Sequence, residues 1–420
     1  MRFTKLIFFL LIHVAVCSQG PAEKLKVFID CSNVWCDFNY IRSEIKLVDF
    51  LNDQLAADVH VLITAVENGN GGKNYQLIFF GQNKFDKEQE TYSFNTEPNA
   101  TEAENRDELL RTLKIGLLRF LARTPYAKWI AVDMKTEERK KEQELKAETT
   151  KDPWNYWVFR VGVDGTYNAE QVYKNLNGTG YTTANRITDK SRIYFGASGG
   201  YNQSIYTYED NGTNVDFEVI NSNYEIAHSL IKSLGSHWGI GYRASYSNNT
   251  YSNNKERILL KGGIEYSIFP YSEVNTKLFT ISYGLDARQN RYYDTTIYYQ
   301  TKEMLYGQVA QANLTLNKRW GNLNSLLAYR NYLHDPQLNN LSLNINMNVR
   351  ITGGLSIYMY TSGSIVRDQV YLVKGKASEQ DVLTRRRQIA TDYTLYTGFG
   401  INYRFGSKLN NFINPRMEGL

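Results

Sequence analysis

The cysteines are the first residues whose spacing suggests chemistry. The 420-residue chain contains three cysteines, and Cys31 and Cys36 lie five positions apart. In an oxidising compartment this pair predicts a short-range disulfide that fixes the connection between a strand and a helix. A redox site is the alternative, but it would favour a two-residue spacer, and four residues separate these cysteines. A zinc site is less favoured again, because no second cysteine pair exists and the nearest histidine, His60, falls in a predicted strand core.

Two pairs of neighbouring polar residues suggest acid–base chemistry in an all-β protein. His334 and Asp335 fall at a predicted outer loop tip, and no second aspartate pair accompanies them, as a barrel protease would need. His228 and Ser229 fall within a strand, where adjacent side chains point to opposite faces. The sequence also contains no Walker loop, His-Glu-x-x-His motif or dinucleotide fingerprint. We therefore expect no catalysis, no cofactor and no metal site.

A larger set of charged residues falls on the polar side of predicted strands. The set comprises Arg160, Asp164, Arg243, Lys261, Glu265, Asp286, Arg288, Arg330 and Arg350, and the same side adds Arg192, Glu225 and Arg404. Because both signs are present, one interpretation is a network of ion pairs and hydrogen bonds that fills the interior of a barrel. The alternative is a narrow pore lined by excess arginine, which would favour anions.

These charges need strands to position them, and the clearest strand runs from Asp392 to Phe405. Its apolar residues alternate with polar ones and are Tyr393, Leu395, Phe399, Ile401, Tyr403 and Phe405. A period of two predicts an extended strand with one apolar face, and about 10 tilted residues cross a bilayer. Lipid offers the backbone no hydrogen bonds, so such a strand implies a closed barrel.

The same period recurs from Trp154 onward. It predicts twelve strands, near 156–168, 173–187, 191–207, 216–231, 237–248, 256–269, 278–290, 304–318, 323–333, 341–352, 355–370 and 391–405. Tight turns alternate with longer connections, including one at 209–215, as expected for short periplasmic turns and longer outer loops. Only four of the 32 tyrosines precede residue 153, which is typical of interfacial aromatic girdles. A soluble, tyrosine-rich β-sandwich is the alternative.

Residues 22–134 predict a separate α+β domain with the order β-α-β-β-α. The expected elements are a strand from Leu25 to Ile29, a helix carrying Ile41, Ile45, Val48, Leu51 and Leu55, a glycine-linked hairpin of 59–66 and 75–80, a helix over 102–122 and a last strand over 129–132. The segment Ala57 to Ile63, the glycine hairpin and Tyr75-Gln76-Leu77 resemble the small periplasmic domains of Tol-system and curli-secretion proteins. That resemblance implies a periplasmic protein partner.

The sequence also predicts how the rest of the chain is divided. Residues 1–18 predict a signal peptide cleaved after Ser18, and lipidation of Cys17 is the alternative. We expect a charged linker over residues 135–153, the barrel over 154–406 and a periplasmic tail over 407–420. The net charge of +5 is too small to indicate nucleic-acid binding. The run Arg385-Arg386-Arg387 suggests contact with lipopolysaccharide phosphates, although an exposed charged loop explains it as well.

The carboxyl-terminal strand carries a second resemblance. Gly398, Phe399, Ile401, Tyr403 and Phe405 are similar to the insertion signal that the barrel-assembly machinery reads. The run Phe405-Gly406-Ser407 and the asparagine-rich tail resemble an uncharacterised outer-membrane family akin to the YdiY-like proteins, although 15 residues follow Phe405. The resemblance implies a location in the Gram-negative outer membrane, in contact with lipid and lipopolysaccharide.

Taken together, the sequence predicts a mainly β protein: a twelve-stranded antiparallel transmembrane β-barrel preceded by a small α+β periplasmic domain. The expected role is structural, or in envelope assembly, without catalysis. A narrow diffusion channel for small solutes, among them anions, is the alternative, and a barrel protease or lipase is a more remote one.

Overall fold

The computed structural model describes residues 23–131, 152–407 and 409, apart from residues 32, 70, 353 and 385. The predicted signal peptide, almost all of the charged linker and most of the tail lie outside the described residues. Within the described residues, no helix combines the length and the apolar character needed to span a membrane.

The amino-terminal region is a five-stranded sheet with two helices. Its elements are β1 (Leu25–Cys31), α1 (Phe38–Glu44), β2 (Val48–Phe50), β3 (Val59–Glu67), β4 (Lys73–Gly81), β5 (Gln89–Asn95) and α2 (Glu102–Leu121). The strand order is β2-β1-β3-β4-β5. β1 runs parallel to β2 and to β3, and the other neighbours are antiparallel.

One apolar stripe of α2 completes the core of this region. The helix begins with a capping box between Thr101 and Glu104, in which each side chain bonds the other residue's backbone N–H. Leu113 and Phe120 are fully buried, and Phe120 stacks on Phe79 of β4. Gly116 lies between Leu113 and Phe120 on the helix. The Phe79 ring packs so closely against it that a Cβ there would come within 2.1 Å of the ring. Glycine in mid-helix is thus explained by close packing of helix on sheet.

The prediction for the first helix was wrong in its length. α1 ends at Glu44, and Val48, expected on the helix, lies with Phe50 in the edge strand β2, where both are buried. Their spacing of two fits a strand as well as the longer stripe fits a helix. Pairing with β1 decides between these two possibilities, since it satisfies the backbone of both strands.

The predicted β-α-β-β-α order was also incomplete at its end. β5 was missed, although its alternation of polar and aromatic residues places Tyr92 and Phe94 against the core. The strand expected over residues 129–132 is not formed in its described part, since Pro125–Trp129 is a short 3-10 helix. Proline at the start of that turn favours the helical φ and removes a ladder donor.

The second region is a single twelve-stranded antiparallel sheet, which confirms the predicted number of strands. The strands are β6 (Trp157–Ala169), β7 (Tyr173–Ile187), β8 (Ser191–Asp210), β9 (Thr213–Ser233), β10 (Trp238–Asn249), β11 (Asn254–Ser267), β12 (Lys277–Tyr292), β13 (Lys302–Lys318), β14 (Gly321–Tyr332), β15 (Asn339–Arg350), β16 (Leu355–Val366) and β17 (Tyr393–Tyr403). Each strand pairs with its sequence neighbours, in the order β6 to β17.

The two faces of this sheet differ as the period of two requires. On β12, Thr280, Asp286 and Asn290 are buried, whereas Ile281 and Tyr283 on the other parity are about half exposed. The polar side chains therefore face inward, and the apolar side chains face outward. A water-soluble sandwich would have the opposite arrangement.

One predicted loop is wrong. Residues 209–215 were expected to be a long connection, but β8 and β9 continue to Asp210 and from Thr213, which leaves only Asn211 and Gly212. Both turn residues have positive φ, 51° and 79°. Asn-Gly suits a two-residue hairpin turn of this kind, because neither residue resists the left-handed conformation strongly.

The sheet is strongly curved, but its two end strands are not paired in the described residues. Arg160 of β6 and Arg350 of β15 both contact the amino-terminal region. Nine strand spacings separate them, about 43 Å along the sheet. Their partners Glu67 and Asp30 lie on adjacent strands, and Asp30 pairs with Leu62, only five residues or about 17 Å from Glu67. Val163 of β6 and Phe399 of β17 are 86% and 81% exposed, against 46% for Tyr283 of β12. Both end strands therefore present an open edge.

Candidate functional site in the interior of the sheet

The register of the sheet places the nine predicted interior charges on one face. Asp286, Lys261 and Arg243, for example, are direct cross-strand partners on β12, β11 and β10. Directly opposed residues share a face of the sheet. The nine residues do not form a single network, however, and they divide into three groups along the strands.

The first group is centred on Asp286, which is buried. Its carboxylate accepts hydrogen bonds from Arg288 Nε at 3.0 Å and from Arg330 Nη2 at 3.2 Å. Both guanidinium groups also lie over the ring of Tyr332, at 5.6 and 5.5 Å from its centroid. The carboxylate and the aromatic face together offset the cost of placing two cations in the interior.

Arg257 belongs to the same end of the interior and was missed from the sequence. Its Nε donates to Asn290 Oδ1 at 3.2 Å, and the Asn290 amide in turn donates to the Tyr292 hydroxyl at 2.9 Å. The signal for Arg257 was available, because it lies four residues before Lys261 on the same strand and therefore on the same face.

The second group lies midway along the strands. Arg243 pairs with Glu225 at 2.9 Å, and Glu265 accepts a hydrogen bond from the Tyr271 hydroxyl at 2.7 Å. Burial raises the pKa of Tyr271, and the hydrogen bond to Glu265 raises it further. Tyr271, which lies in the turn after β11, is therefore a permanent donor that closes off one interior carboxylate.

A cavity of about 530 Å³ adjoins this second group. Gly241, Gly263 and Gly284 are direct register partners on β10, β11 and β12, so that a stripe of the wall has no side chains. A Cβ on Gly263 would lie 2.6 Å from the Tyr283 carbonyl oxygen, so the close approach of the strands requires glycine. The stripe thus both bends the wall and leaves the cavity open.

Two basic side chains that line this cavity have no acidic side chain in contact within the described part of the chain. In the described part of the chain, neither Lys261 nor Arg192 makes a side-chain hydrogen bond or an ion pair, although both border the cavity. Asp286, the cross-strand neighbour of Lys261, attracts its charge without contact. Because neither cation has a carboxylate in contact among the residues described, an anion is the ligand that the two favour.

The long connection between β16 and β17 covers one end of the interior. Val370 packs against Leu305 and Tyr332 of the sheet. The Leu372 carbonyl accepts from the Ile297 N–H at 2.8 Å, and the Asn253 side chain donates to the Tyr371 carbonyl at 3.1 Å. The connection is therefore tied to two other loops and does not project freely.

The basic run in this connection is partly neutralised. Arg386 and Arg387 contact Asp381 of α3 (Glu379–Thr384), at 2.8 and 3.1 Å. Asp381 is buried, and it also accepts a hydrogen bond from the Ser378 backbone N–H. Two of the three arginines proposed to contact lipopolysaccharide therefore already have a carboxylate partner within the loop.

The third group joins the amino-terminal region to the end of the sheet that carries the short turns. Asp30, on β1, accepts a bidentate hydrogen bond from Arg350, with Nη2 to Oδ1 at 2.6 Å. His60 Nε2 lies 3.4 Å from the same carboxylate. Asp30 and His60 are 2% and 1% exposed, so Arg350 neutralises a carboxylate that the small domain buries.

The charge states of this cluster follow from its surroundings. Burial opposes ionisation of Asp30, but the hydrogen bonds from Arg350 and His60 outweigh it and hold the pKa of Asp30 below its ordinary value. Burial lowers the pKa of His60, and the charges of Arg350 and Arg319 lower it further, against the opposing effect of Asp30. The pair is therefore an ionised aspartate beside a neutral histidine.

Further contacts continue this interface around the rim. Arg160 pairs with Glu67 at 3.6 Å, and the side-chain amide of Asn275 donates to that of Asn74 at 3.2 Å. Arg319 lies over the Phe80 ring, 4.8 Å from its centroid. Arg160 and Arg350 thus serve domain docking, whereas Asp164, their companion in the predicted set, accepts a hydrogen bond from Thr179 within the sheet.

The pairs considered for acid–base chemistry are not assembled as such pairs. Asp335 accepts from the Gln337 N–H in a turn. His228 Nδ1 lies 2.9 Å from the Tyr194 carbonyl oxygen, and its Nε2 lies 3.1 Å from the Tyr242 hydroxyl. Among the described residues, neither pair is joined by a hydrogen bond between its members.

The remaining predicted residues have structural positions. Cys31 and Cys36 are joined by a disulfide at the end of β1. Gly398 of β17 lies beneath the Tyr360 ring, which a Cβ would approach to 2.1 Å, and Phe399, Ile401, Tyr403 and Phe405 are exposed. No cluster of three or more His, Cys, Asp or Glu side chains suited to a metal ion occurs among the residues described.

Comparisons with known proteins add little beyond this geometry. No protein-family model matches the chain, and no curated protein sequence matches it. A similar solved structure is the translocator domain of the autotransporter NalP from Neisseria meningitidis, with 12% identity, 64% of this chain and 96% of that chain covered, and a TM-score of 0.28. NanC porin is similar with 9% identity, 59% and 99% covered, and a TM-score of 0.28. A TM-score of 0.28 is too low to carry an argument.

The Asp286 cluster predicts a large effect of one substitution. Asp286→Asn removes the charge that neutralises Arg288 and Arg330, and breaking a buried pair in this way costs about 3–5 kcal/mol. We expect the midpoint of urea unfolding, measured in detergent micelles by tryptophan fluorescence, to fall accordingly. The matched control is Asp294→Asn, an exposed aspartate in the next loop, which should change the midpoint little. Equal midpoints for the two variants would contradict the role given to Asp286.

The Asp30 cluster predicts that docking weakens as pH falls. Docking lowers the pKa of both Asp30 and His60, so protonation favours the undocked state. Since both pKa values are lowered, the loss should begin below the ordinary histidine value of about 6.5 and deepen below the ordinary aspartate value of about 4. Nitroxide labels on Ser93→Cys and Ser236→Cys, two exposed positions outside the docking contacts, read by electron–electron double resonance, should give one narrow distance at neutral pH and a broad distribution in acid.

A substitution separates this mechanism from general acid damage. Arg350→Gln should broaden the same distance distribution already at neutral pH, because it leaves Asp30 buried with only His60 as partner. Arg291→Gln, an exposed arginine at the opposite end of β12, is the control and should leave the distribution narrow. A narrow distribution in Arg350→Gln at every pH would rule out the ion pair as the docking contact.

Proposed function

We propose that this protein is an outer-membrane β-barrel with a filled interior that holds its amino-terminal domain at the periplasmic end. In this proposal β6 and β17 pair in the membrane and close the barrel, and the role is structural or in envelope assembly. The observation that carries it is the Asp30–Arg350 contact, because an arginine of the sheet neutralises a carboxylate that is buried in the amino-terminal region. If the amino-terminal domain were attached to the barrel only through the chain that connects them, no such contact would be needed.

The distribution of side chains supports the membrane location. Outward residues such as Ile281 and Leu285 are apolar, and inward residues such as Asp286 and Asn290 are polar. This arrangement suits a sheet surrounded by lipid with a polar interior. It would expose a broad apolar surface to water in a soluble protein, which monomeric soluble proteins avoid.

The contacts at both ends support a structural role. The connection between β16 and β17 covers one end through Val370 and its neighbours. At the other end, the amino-terminal domain reaches the turns of strands from β6 to β15 through Arg160, Asn275 and Arg350. A rigid domain on a filled barrel would present a fixed surface to a periplasmic partner.

Several finer points belong to this proposal. We propose that the protein is not an enzyme, that β17 with its terminal aromatic residues is read by the barrel-assembly machinery, and that outward tyrosines contact lipid and lipopolysaccharide. The likeness to YdiY-like proteins, and that of residues 22–134 to Tol-system and curli-secretion domains, is part of the same hypothesis. It would make the surface of that domain the site of a protein partner.

Membrane fractionation and gel mobility test the proposal. We expect the protein in the outer-membrane fraction, extractable only with detergent, and we expect unboiled protein to migrate faster than boiled protein because a closed barrel resists dodecyl sulfate. A fully soluble chain whose mobility is the same with and without boiling would overturn the proposal.

A narrow anion channel is the second candidate, and the cavity beside the glycine stripe favours it. Lys261 and Arg192 border a space of about 530 Å³ and have no recorded partner in the described structure. Charged side chains that line a path set the selectivity of a pore. The covered ends argue against steady conduction, whereas these two cations argue for transient passage of anions.

Planar-bilayer recording separates the two candidates. A filled barrel should show no steady conductance at either voltage polarity. A channel would show anion-selective steps that Lys261→Glu weakens or reverses in selectivity. The control, Lys302→Glu, makes the same charge change at an exposed position on the outward parity of β13. Steps that respond to Lys261→Glu but not to Lys302→Glu would replace the structural role with the channel.

A further inference from the structure

A second cavity, of about 520 Å³, lies where the amino-terminal domain meets the sheet. Its wall includes α1 and the disulfide loop on one side, and the ends of β16 and β17 on the other. The volume falls within the range of about 300–1,000 Å³ typical of small-molecule sites. Arg350 of the docking contact lines one part of the cavity, whereas α1 and the disulfide loop, which line another part, take no part in the docking contacts described above.

Three arginines line this cavity, and two of them, from different regions, remain once Arg350 is paired with Asp30. Arg42 comes from α1 and Arg404 from the residue after β17. Neither has a recorded carboxylate partner in the described part of the chain, and Arg42 Nε is buried without a hydrogen-bond acceptor. Burial lowers the pKa of Arg42, and the charge of Arg404 lowers it further. Two like charges held together without an acid leave an unmet demand for an anion.

The same cavity has an apolar rim. Trp35 is 68% exposed. The Arg42 guanidinium lies over the ring of Phe38, 5.4 Å from the ring centroid. Val34 and Phe28 line the wall between them. Together these aromatic side chains offer an apolar surface next to the two cations, which suits a ligand with an apolar part.

We propose that this cavity binds an anionic amphiphile. The anionic head group lies between Arg42 and Arg404, where charge-assisted hydrogen bonds satisfy both guanidinium groups, and the apolar part lies against Trp35 and Phe38. Thr352 and Ser356 supply hydroxyl donors on the wall of the sheet. Because the two arginines come from different regions, the bound amphiphile also strengthens the docking of the small domain on the sheet.

Calorimetric titration of the full-length protein in a neutral maltoside detergent tests the proposal. Dihexanoyl phosphatidylglycerol is the anionic probe, dihexanoyl phosphatidylcholine the zwitterionic probe, and inorganic phosphate the head group alone. We expect phosphatidylglycerol to bind at least about tenfold more tightly than either other probe, since only it combines a net negative charge with an apolar part. Equal affinity for phosphatidylcholine would overturn the role of the arginines, and equal affinity for phosphate would overturn that of the rim.

Three variants and a control locate the binding. Arg42→Gln and Arg404→Gln should each weaken phosphatidylglycerol binding by about tenfold, and Trp35→Ala, at an exposed position, should weaken it without disturbing the fold. Arg291→Gln, on the far end of β12 and paired with Glu256, should leave the affinity unchanged. Binding that all three cavity variants leave intact would place the amphiphile elsewhere and overturn the proposal.

Discussion

The constraint on which the whole account depends is the need of every backbone amide in lipid for a hydrogen-bond partner. Eleven strand pairings, from β6 with β7 to β16 with β17, satisfy that need within the sheet. Only the outer edges of β6 and β17 remain, and in lipid each unpaired group there costs several kcal/mol. The curvature that brings Arg160 and Arg350 onto one small domain is the geometry that closure requires. Pairing of the two edges is therefore the central claim of the proposed function.

The interior of the proposed barrel must be filled, hydrated or covered, and this chain places paired charges on the inward face of the sheet. Asp286 serves two arginines, Glu225 serves Arg243, and Asp30 reaches in from the other domain to serve Arg350. Charges that lack such partners, at Lys261 and Arg192, coincide with the place where glycines replace side chains. The inward face thus combines paired charges with a cavity that two further cations border, which is why a structural role and an anion path compete as interpretations.

Much of the large sheet could be predicted from the sequence, because a period of two sustained over ten residues has one physical explanation. The inward position of Arg243 or Asp286 follows from parity alone. The partners of these residues do not follow, since Glu225 and Asp30 are brought close by register and by docking, which depend on contacts distant in the chain. The small domain was harder, because Val48 belongs both to a helical stripe with Ile45 and Leu51 and to an extended period of two with Phe50. The two-residue turn could have been predicted from the Asn211-Gly212 pair, which favours such turns, but the flanking polar residues suggested a longer loop.

Amide hydrogen exchange in lipid nanodiscs, resolved strand by strand by mass spectrometry, tests closure most directly. If β6 and β17 pair, their amides should exchange as slowly as those of β12, which has a neighbour on both sides. The amides of β17 around Phe399 and of β6 around Val163 are the decisive ones, because these residues are the most exposed on the two edges. Exchange of β6 and β17 that is orders of magnitude faster than that of β12, with β12 itself protected, would show an open sheet and contradict the account.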